Sequence, residues 1–185
     1  MIFASGSGTN TENIIQYFKK TDTTRVVAVF TNNPNAGVIT KVQKYNLPIE
    51  IFTKTELFEA EILQKVKAFH PDLIVLAGFL LQFPSNIITA FPDKIINIHP
   101  ALLPKYGGKG MYGLHVHQAV VENKEEKTGI TVHYVNENYD EGAIIAQHQV
   151  SLTAVDTVTT VAEKIHELEQ EFFPVEIERI LNQSR

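Results

Sequence analysis

The stretch LIVLAGFLLQFPSNIITAFPDKIINIH, residues 73–99, contains two apolar strands separated by a helical pattern. Leu73–Ala77 and Ile95–Ile98 are short runs of branched apolar side chains, and Ser85–Phe91 between them is typical of a helix. Strands with few polar side chains on either face are typical of a parallel sheet that helices cover on both sides. The stretch therefore predicts a strand–helix–strand unit of an α/β domain.

The same alternation extends back to the amino terminus of the chain. Apolar runs predict further strands at Ile2–Ala4, Arg25–Thr31 and Pro48–Phe52. Helical patterns follow these strands, from Thr9 to about Lys20, over Ala36–Tyr45 and over Thr55–Phe69. Thr9 and Glu12 have the spacing of a capping box, so we expect them to cap the first helix.

After Thr128 the pattern changes. Gly129–Val135 and Ala143–Val150 are strand-like runs joined by a seven-residue loop, which predicts an antiparallel pair. Thr157–Leu181 has helical spacing, and Pro174 within it is expected to kink or divide the helix. The sequence thus predicts one α/β domain over residues 1–185. Its sheet is mostly parallel and twisted, with helices on both faces and an antiparallel strand pair near the carboxyl-terminal end.

Composition excludes several classes of protein. The hydrophobic and charged fractions, 44% and 20%, are those of an ordinary globular protein. The net charge of −5, with no basic cluster beyond Lys19–Lys20, argues against a protein whose main function is to bind the phosphates of nucleic acid. The absence of cysteine excludes thiol chemistry and favours a reducing cytoplasm. No apolar run approaches the roughly 20 residues that span a bilayer, and Met1–Ser5 is too short for a signal peptide.

Polar features cluster where three predicted strands end. They are Ser5–Asn10 after the first strand, Gly78 after the fourth and Asn97–His99 at the end of the fifth. In open α/β sheets, ligands bind in the crevice beyond the carboxyl ends of the strands. We therefore expect the functional site at this edge.

The loop after the first strand favours an anion. It consists of Gly6, Ser7, Gly8, Thr9 and Asn10. Free N–H groups and the helix dipole at such a helix start both attract negative charge. A dinucleotide fingerprint is incomplete, because Thr11 replaces the third glycine and Thr31–Asn33 offers no acidic residue. The P-loop lysine is also missing, so a single phosphate on a small molecule is the predicted ligand, with a plain strand-to-helix turn as the alternative.

Asn97, His99 and Asp140 form a candidate catalytic set. Asn97 and His99 are two residues apart, so their side chains share one face of an extended strand. A carboxamide N–H can stabilise a developing oxyanion, and imidazole titrates near neutrality. Asp140, in the loop between the antiparallel strands, can approach His99 and would raise the pKa of the imidazole. Such a set can perform acyl transfer without a covalent intermediate. The alternative is that these residues only hydrogen-bond at strand and turn ends.

The remaining histidines give a weaker signal. His115 and His117, two residues apart, could join His133 in a metal site. No secure third ligand accompanies them, so a metal is not favoured. His70, His148 and His166 are predicted to be surface residues or to have ordinary partners.

At this point the motifs resemble a known family. The segments FASGSGTN, DLIVLAGF, IINIHPALLPKY, GLHVHQAV and TGITVHYVNENYDEGAII occur in the order seen in the phosphoribosylglycinamide formyltransferases, folate-dependent enzymes of purine biosynthesis. The resemblance covers essentially the whole chain. The N-I-H-P segment with the downstream Asp140–Gly142 is specific to the formyltransferase superfamily, and the Gly-Thr-Asn ending of the glycine loop matches the glycinamide ribonucleotide branch.

This resemblance implies a reaction. The amine of glycinamide ribonucleotide attacks the formyl carbon of 10-formyltetrahydrofolate, the formyl donor, directly. Asn97 and protonated His99 stabilise the tetrahedral oxyanion, while Asp140 supports His99 and relays a proton. The resemblance also implies a cis peptide bond at Leu103–Pro104.

The resemblance also implies where the substrates bind. The phosphate would bind at Gly6–Asn10 and the ribose at Glu169. The folate would contact Phe79, Leu80, Leu81, Gln82, Phe83, Asn97, Asn138, Tyr139 and Asp140. Residues 1–99 would then form a phosphate-binding α/β half, and residues 100–185 a folate-binding and catalytic half with the carboxyl-terminal helix.

The sequence departs from the family pattern at three places. Gly107–Gly113 is longer and richer in glycine than usual, either as a flap over the amine substrate or as an inert insertion. Leu81 and Thr55 replace basic residues that contact the folate. Lys54 or Lys105 would then bind the folate glutamate tail.

Four alternative functions predict other sequence features. A methionyl-tRNA formyltransferase would have a further carboxyl-terminal domain and a basic surface, and a formyltetrahydrofolate hydrolase an amino-terminal regulatory domain. Sugar-nucleotide formyltransferases differ at the phosphate loop, and a non-catalytic nucleotide-binding module would not need the Asn–His–Asp set. The expected partners are small-molecule substrates, without nucleic acid, membrane or metal, and the chain is either a monomer or a homodimer.

Overall fold

A computed structural model describes residues 1–183, so the last two residues of the predicted domain lie outside the described residues. The strands are β1 (Ile2–Phe3), β2 (Val29–Thr31), β3 (Ile49–Ile51), β4 (Ile74–Leu76), β5 (Ile95–His99), β6 (Lys127–Tyr134) and β7 (Ile144–Ser151). They form one sheet in the order β3-β2-β1-β4-β5-β6-β7. Pairing is parallel from β3 to β5 and antiparallel from β5 to β7, which confirms the predicted sheet.

Helices cover both faces of this sheet. They are α1 (Thr9–Phe18), α2 (Gly37–Gln43), α3 (Ala60–Ala68), α4 (Ser85–Ala90), α5 (Leu114–Glu122) and α6 (Val158–Gln183). Successive strand residues point to opposite faces, so Ile2 joins a core with α1, α2, α5 and α6, while Phe3 joins a second core with α3 and α4. Among the helices of residues 1–183, none combines the length and apolar character needed to cross a membrane.

Several predicted boundaries were wrong. The predicted helix Thr55–Phe69 is divided at Glu59, whose backbone is extended, into a 3-10 helix at Glu56–Phe58 and α3. Helix α5 was missed, because its buried side includes the polar His117 and so lacks a simple apolar stripe. In β2, strand pairing begins at Val29, opposite the first residue of β1.

The predicted capping box at the start of α1 is also wrong. Thr9 is the first helical residue and Gly8 is the N-cap, with a left-handed φ of 75°. A Cβ on Gly8 would lie 2.6 Å from Val38, so glycine is required by both backbone conformation and close packing. The carboxylate of Glu12 instead forms ion pairs with Lys41 and Lys44.

Pro174 lies inside α6 without dividing it, contrary to one of the two expected outcomes. Proline lacks an N–H group, so the carbonyl of Gln170, one turn earlier, loses its usual helical donor. The side chain of Asn13 in α1 replaces that donor, with Nδ2 donating to the Gln170 oxygen at 2.7 Å. This bond ties α1 to α6 at the point where the helix has lost one of its own hydrogen bonds.

We expect Asn13→Ala to lower the free energy of unfolding by about 1 kcal/mol, because it leaves the Gln170 carbonyl without a donor. Urea denaturation measures this loss. In a Pro174→Ala background the helix regains its own donor, so the same substitution should have a smaller effect. Equal losses in the two backgrounds would contradict this account.

Candidate functional site

A cleft of about 720 Å³ opens at the edge where β1, β4 and β5 end. Its walls bring together all the site residues that the sequence predicted. They are the glycine loop Gly6–Asn10, the segment Phe79–Phe83, Asn97 with His99, Asn138–Asp140, and Glu169. The topology explains the location, because β1 and β4 are neighbours in the sheet although they are far apart in sequence.

His99, the last residue of β5, is buried with both ring nitrogens directed at oxygen atoms. Its Nε2 lies 2.7 Å from the Tyr106 carbonyl oxygen and must carry the proton that it donates there. Its Nδ1 lies 3.5 Å from Oδ2 of Asp140. A proton on Nδ1 would therefore lie between the imidazole and the carboxylate, and the two groups are placed to share it.

Asp140 reaches His99 through a reversal of the chain. Because β6 runs antiparallel to β5, it ends beside Ile95, where the Val135 N–H donates to the Ile95 oxygen at 2.9 Å. The loop 136–142 then turns back to His99. Gly142 permits this turn, because a Cβ at that position would overlap the Tyr134 oxygen.

The net pKa shift of His99 differs from the expectation. Burial lowers the pKa of His99 and outweighs both the Asp140 carboxylate and the Tyr106 carbonyl, which raise it. Asp140 thus raises the pKa of His99 as predicted, but burial makes the net shift downward, and His99 is neutral near pH 7. For Asp140, burial acts to raise the pKa, but contacts with His133, His99 and the Gly108 N–H together lower it. The pair is thus a neutral imidazole facing a carboxylate.

His133 joins this set, although the sequence analysis considered it only as a metal ligand. It lies opposite Asn97 in the β5–β6 register. Its Nδ1 donates to the Tyr134 oxygen at 2.8 Å, so Nε2 can accept from the Asn97 carboxamide at 3.1 Å. The same Nε2 is 3.6 Å from Asp140. One N–H of Asn97 is thereby fixed, and its second N–H remains for a ligand.

Residues at the start of the glycine-rich segment hold His99 and Asp140 in place. Tyr106 accepts from His99, and the Gly108 N–H donates to Oδ2 of Asp140 at 2.9 Å. A Cβ on Gly107 would lie 2.5 Å from the side chain of Leu103 and 3.3 Å from that of Asp140. Residues 106–108 therefore have a structural role, which an inert insertion would lack. The predicted cis bond at Leu103–Pro104 is confirmed.

The glycine loop lies at the other end of the cleft, where α6 closes it. Asn10 donates to Glu169 at 2.9 Å and accepts from the Gln170 side chain at 2.9 Å. Burial raises the pKa of Glu169 despite the bond from Asn10 and the nearby His166. A polar ligand at this end would meet the N-terminal N–H groups of α1 on one side and the Glu169 carboxyl group on the other.

The segment predicted to contact folate borders the cleft, and two of its rings also belong to the hydrophobic core. The rings of Phe79 and Phe83 pack on Phe3 in the core, with centroids 5.5 and 5.0 Å away. Leu80 is exposed, and Gln82 links this segment to the facing loop by donating to the Glu137 oxygen at 2.9 Å.

The two lysines proposed for the glutamate tail differ in position. Lys54 lines the cleft. Lys105 instead pairs with Glu125 at 2.9 Å. Lys54 is therefore the better placed of the two.

The histidines considered for a metal do not form a ligand set. Within residues 1–183, no group of three His, Asp or Glu side chains has a geometry that could hold an ion. His115 is exposed, whereas His117 is buried in the cleft wall and His133 contacts Asn97.

Comparison with known proteins agrees with this geometry. The family model described as formyl transferase matches residues 1–177. This chain belongs to the formyl transferase family. The resemblance that the sequence motifs indicated is thereby confirmed.

Several relatives of this formyl transferase are named phosphoribosylglycinamide formyltransferase. The chain is 36% identical over 171 residues to a chloroplastic phosphoribosylglycinamide formyltransferase of Arabidopsis thaliana, covering 89% of this chain and 59% of the relative. The Bacillus subtilis phosphoribosylglycinamide formyltransferase is 33% identical over 186 residues, with coverage of 97% and 93%. The chain thus spans about three fifths of the plant relatives, 59% and 61%, but nearly all of the bacterial one.

Solved structures show the same fold. The crystal structure of phosphoribosylglycinamide formyltransferase from Bacillus halodurans superimposes with a TM-score of 0.90 at 35% identity, covering 100% of this formyl transferase and 95% of that chain. A glycinamide ribonucleotide transformylase from Geobacillus kaustophilus gives 0.88 at 34% identity, with coverage of 97% and 96%. The predicted α/β formyltransferase fold is therefore confirmed.

The lowered pKa of His99 predicts a pH dependence of stability. Folded His99 binds a proton less readily than in the unfolded chain, so its stabilising effect is present above the ordinary pKa of 6.5 and is lost as the pH falls through the lowered value. Between about pH 7.5 and about pH 5.5, the native protein should lose more free energy of unfolding than His99→Gln. Urea denaturation at each pH measures this, with the exposed His115→Gln as a control that keeps the native slope. A His99→Gln slope equal to the native one would contradict the prediction.

Proposed function

We propose that this formyl transferase transfers the formyl group of 10-formyltetrahydrofolate to the amine of glycinamide ribonucleotide, a step of purine biosynthesis. The observation that carries the proposal is the meeting of Asn97, His99 and Asp140 in the same cleft as the glycine loop, with 3.5 Å between His99 and Asp140. The names of the bacterial relatives, which this chain matches nearly end to end, support the same acceptor.

The acceptor binds at the α1–α6 end of the cleft. Its phosphate contacts the N–H groups of Gly6–Asn10, where the helix dipole adds attraction. Its ribose hydroxyls contact Glu169, which Asn10 holds in place at 2.9 Å. This places the amine toward the end of β5, near Asn97 and His99.

The folate binds at the other side, between Phe79–Phe83 and Asn138–Asp140. Lys54 is the cation available to its glutamate tail. Residues 1–99 supply the phosphate site and residues 100–185 the carboxylates and much of the folate wall, although Asn97 and His99 belong to the first part. The cytoplasmic location suggested by the absence of cysteine stays a prediction.

The reaction follows from this arrangement. The amine nitrogen bonds to the formyl carbon, and the carbonyl electrons move to oxygen, which accepts a hydrogen bond from the free N–H of Asn97. The proton released by the amine is held at Nδ1 of His99 beside Asp140, so that the imidazolium forms only when negative charge has developed. The bond from the formyl carbon to folate N10 then breaks, and N10 takes up one proton. Proton release and uptake balance without a covalent enzyme intermediate.

A screen of acceptors tests the proposal against its alternatives. The protein is mixed with 10-formyltetrahydrofolate and, in turn, glycinamide ribonucleotide, a sugar-nucleotide amine, methionyl-tRNA or water alone, and folate absorbance is followed. We expect turnover with glycinamide ribonucleotide. Turnover with water alone would identify a hydrolase, preference for another amine would change the acceptor, and no turnover would favour a binding module.

We expect Asn97→Ala to lower kcat by about 10²–10³, because it removes the donor to the oxyanion, while the Kd of each substrate changes little. Steady-state kinetics and calorimetry give the two quantities. Asn123→Ala, at the exposed end of α5, is the matched control and should retain native kcat. A kcat within a few-fold of native for Asn97→Ala would refute the assigned role.

A further inference from the structure

His117 is a buried histidine in the cleft wall that the mechanism above does not use. It lies on α5 and is 6% exposed. Its Nδ1 is fully buried and has no hydrogen-bond partner. No hydrogen bond joins its ring to any other residue among 1–183, and the side chain lines the cleft.

The other buried histidines show how unusual this is. Both ring nitrogens of His99 and of His133 face a polar partner, and the half-buried His148 pairs with Glu176. A buried polar group without a partner destabilises the folded protein, so such groups are few and each requires an explanation. Nδ1 has no accessible surface, so a ligand in the cleft can reach the ring only at Nε2, which is not among the fully buried atoms without a partner. For a ring in the wall of a ligand cleft whose accessible nitrogen has no protein partner, the simplest explanation is that the partner is the ligand.

The position of His117 indicates which ligand. Helix α5 packs against α6, the helix that carries Glu169 and closes the acceptor end of the cleft. On its other side His117 lies close enough to His99 for the two rings to interact electrostatically. The folate segments Phe79–Phe83 and Asn138–Asp140 come from other parts of the wall. His117 therefore lies near the reacting centre, on a helix that packs against the helix of Glu169, and this is the part of the wall that we assign to the glycinamide part of the acceptor.

We propose that the imidazole of His117 hydrogen-bonds the glycinamide moiety of the acceptor and thereby selects and orients the attacking amine. The inference rests on the proposed function and names the contact that distinguishes this acceptor. Glycinamide offers an amine, an amide N–H and a carbonyl within a few bonds, so Nε2 of His117 finds a partner in either neutral tautomer, as donor or as acceptor. Burial, and then repulsion from His99 when that ring is protonated, lower the pKa of His117, so the ring is neutral near pH 7.

The test compares His117→Leu and His117→Gln with His115→Leu, an exposed position on the same helix. We expect His117→Leu to raise KM for glycinamide ribonucleotide about tenfold or more, with KM for 10-formyltetrahydrofolate unchanged. The His117→Gln variant should keep part of the affinity, because the glutamine amide reaches the position of the imidazole Nε2. His115→Leu should retain native constants. Calorimetric titration of glycinamide ribonucleotide alone should show the same order of affinities.

Thermal unfolding separates this role from a structural one. Replacing an unpaired buried ring by leucine should leave Tm unchanged or raise it, since a polar group without a partner is removed. A lower Tm, with both KM values changed equally, or an unchanged KM for glycinamide ribonucleotide would overturn the proposal. If the leucine variant does not fold, His117→Gln and His117→Asn give the same comparison. Failure of the proposed function would instead appear in the native protein, as turnover with a different acceptor.

Discussion

The contact between His99 and Asp140 is the constraint on which the rest of the site depends. A carboxylate with 11% of its side chain exposed is stable only with nearby partners, because burial disfavours its charge. Asp140 accepts from the Gly108 N–H and lies 3.5 Å from His99 and 3.6 Å from His133, while the Tyr106 carbonyl fixes which nitrogen of His99 carries a proton. The glycine-rich segment and the reversal before Gly142 therefore set the position of Asp140 relative to His99.

The two ends of the cleft contribute different physical properties. At the end formed by α1 and α6, backbone N–H groups and the helix dipole attract an anion, and the network of Asn10, Glu169 and Gln170 fixes the shape of the site. At the β5–β6 end, burial lowers the pKa of His99, so the imidazole is neutral near pH 7 and able to accept a proton. A phosphate-bearing amine bound across the cleft would have its phosphate at the α1–α6 end and its amine beside His99 and Asp140. This division matches the proposed formyl transfer.

Some elements followed directly from local pattern and others did not. The runs at Ile74–Leu76 and Ile95–His99 are apolar enough to predict buried strands, and their ends correctly marked the edge that carries the cleft. Helix α5 was missed because His117 occupies its buried side, and the capping box failed because Gly8 must pack on Val38. The first error arose from a polar residue in a buried position, and the second from a contact between distant residues that outweighed a local preference.

The sequence by itself determined the α/β class, the glycine loop at a helix start, and the polar residues Asn97 and His99 at a strand end. These are local patterns, so a window of a few residues contains them. Only the tertiary structure decided that His133 lies opposite Asn97, that burial outweighs Asp140 in setting the pKa of His99, and that Nδ1 of His117 has no partner. Register, burial and the absence of a neighbour depend on segments far apart in the chain, and become defined only when those segments pack together.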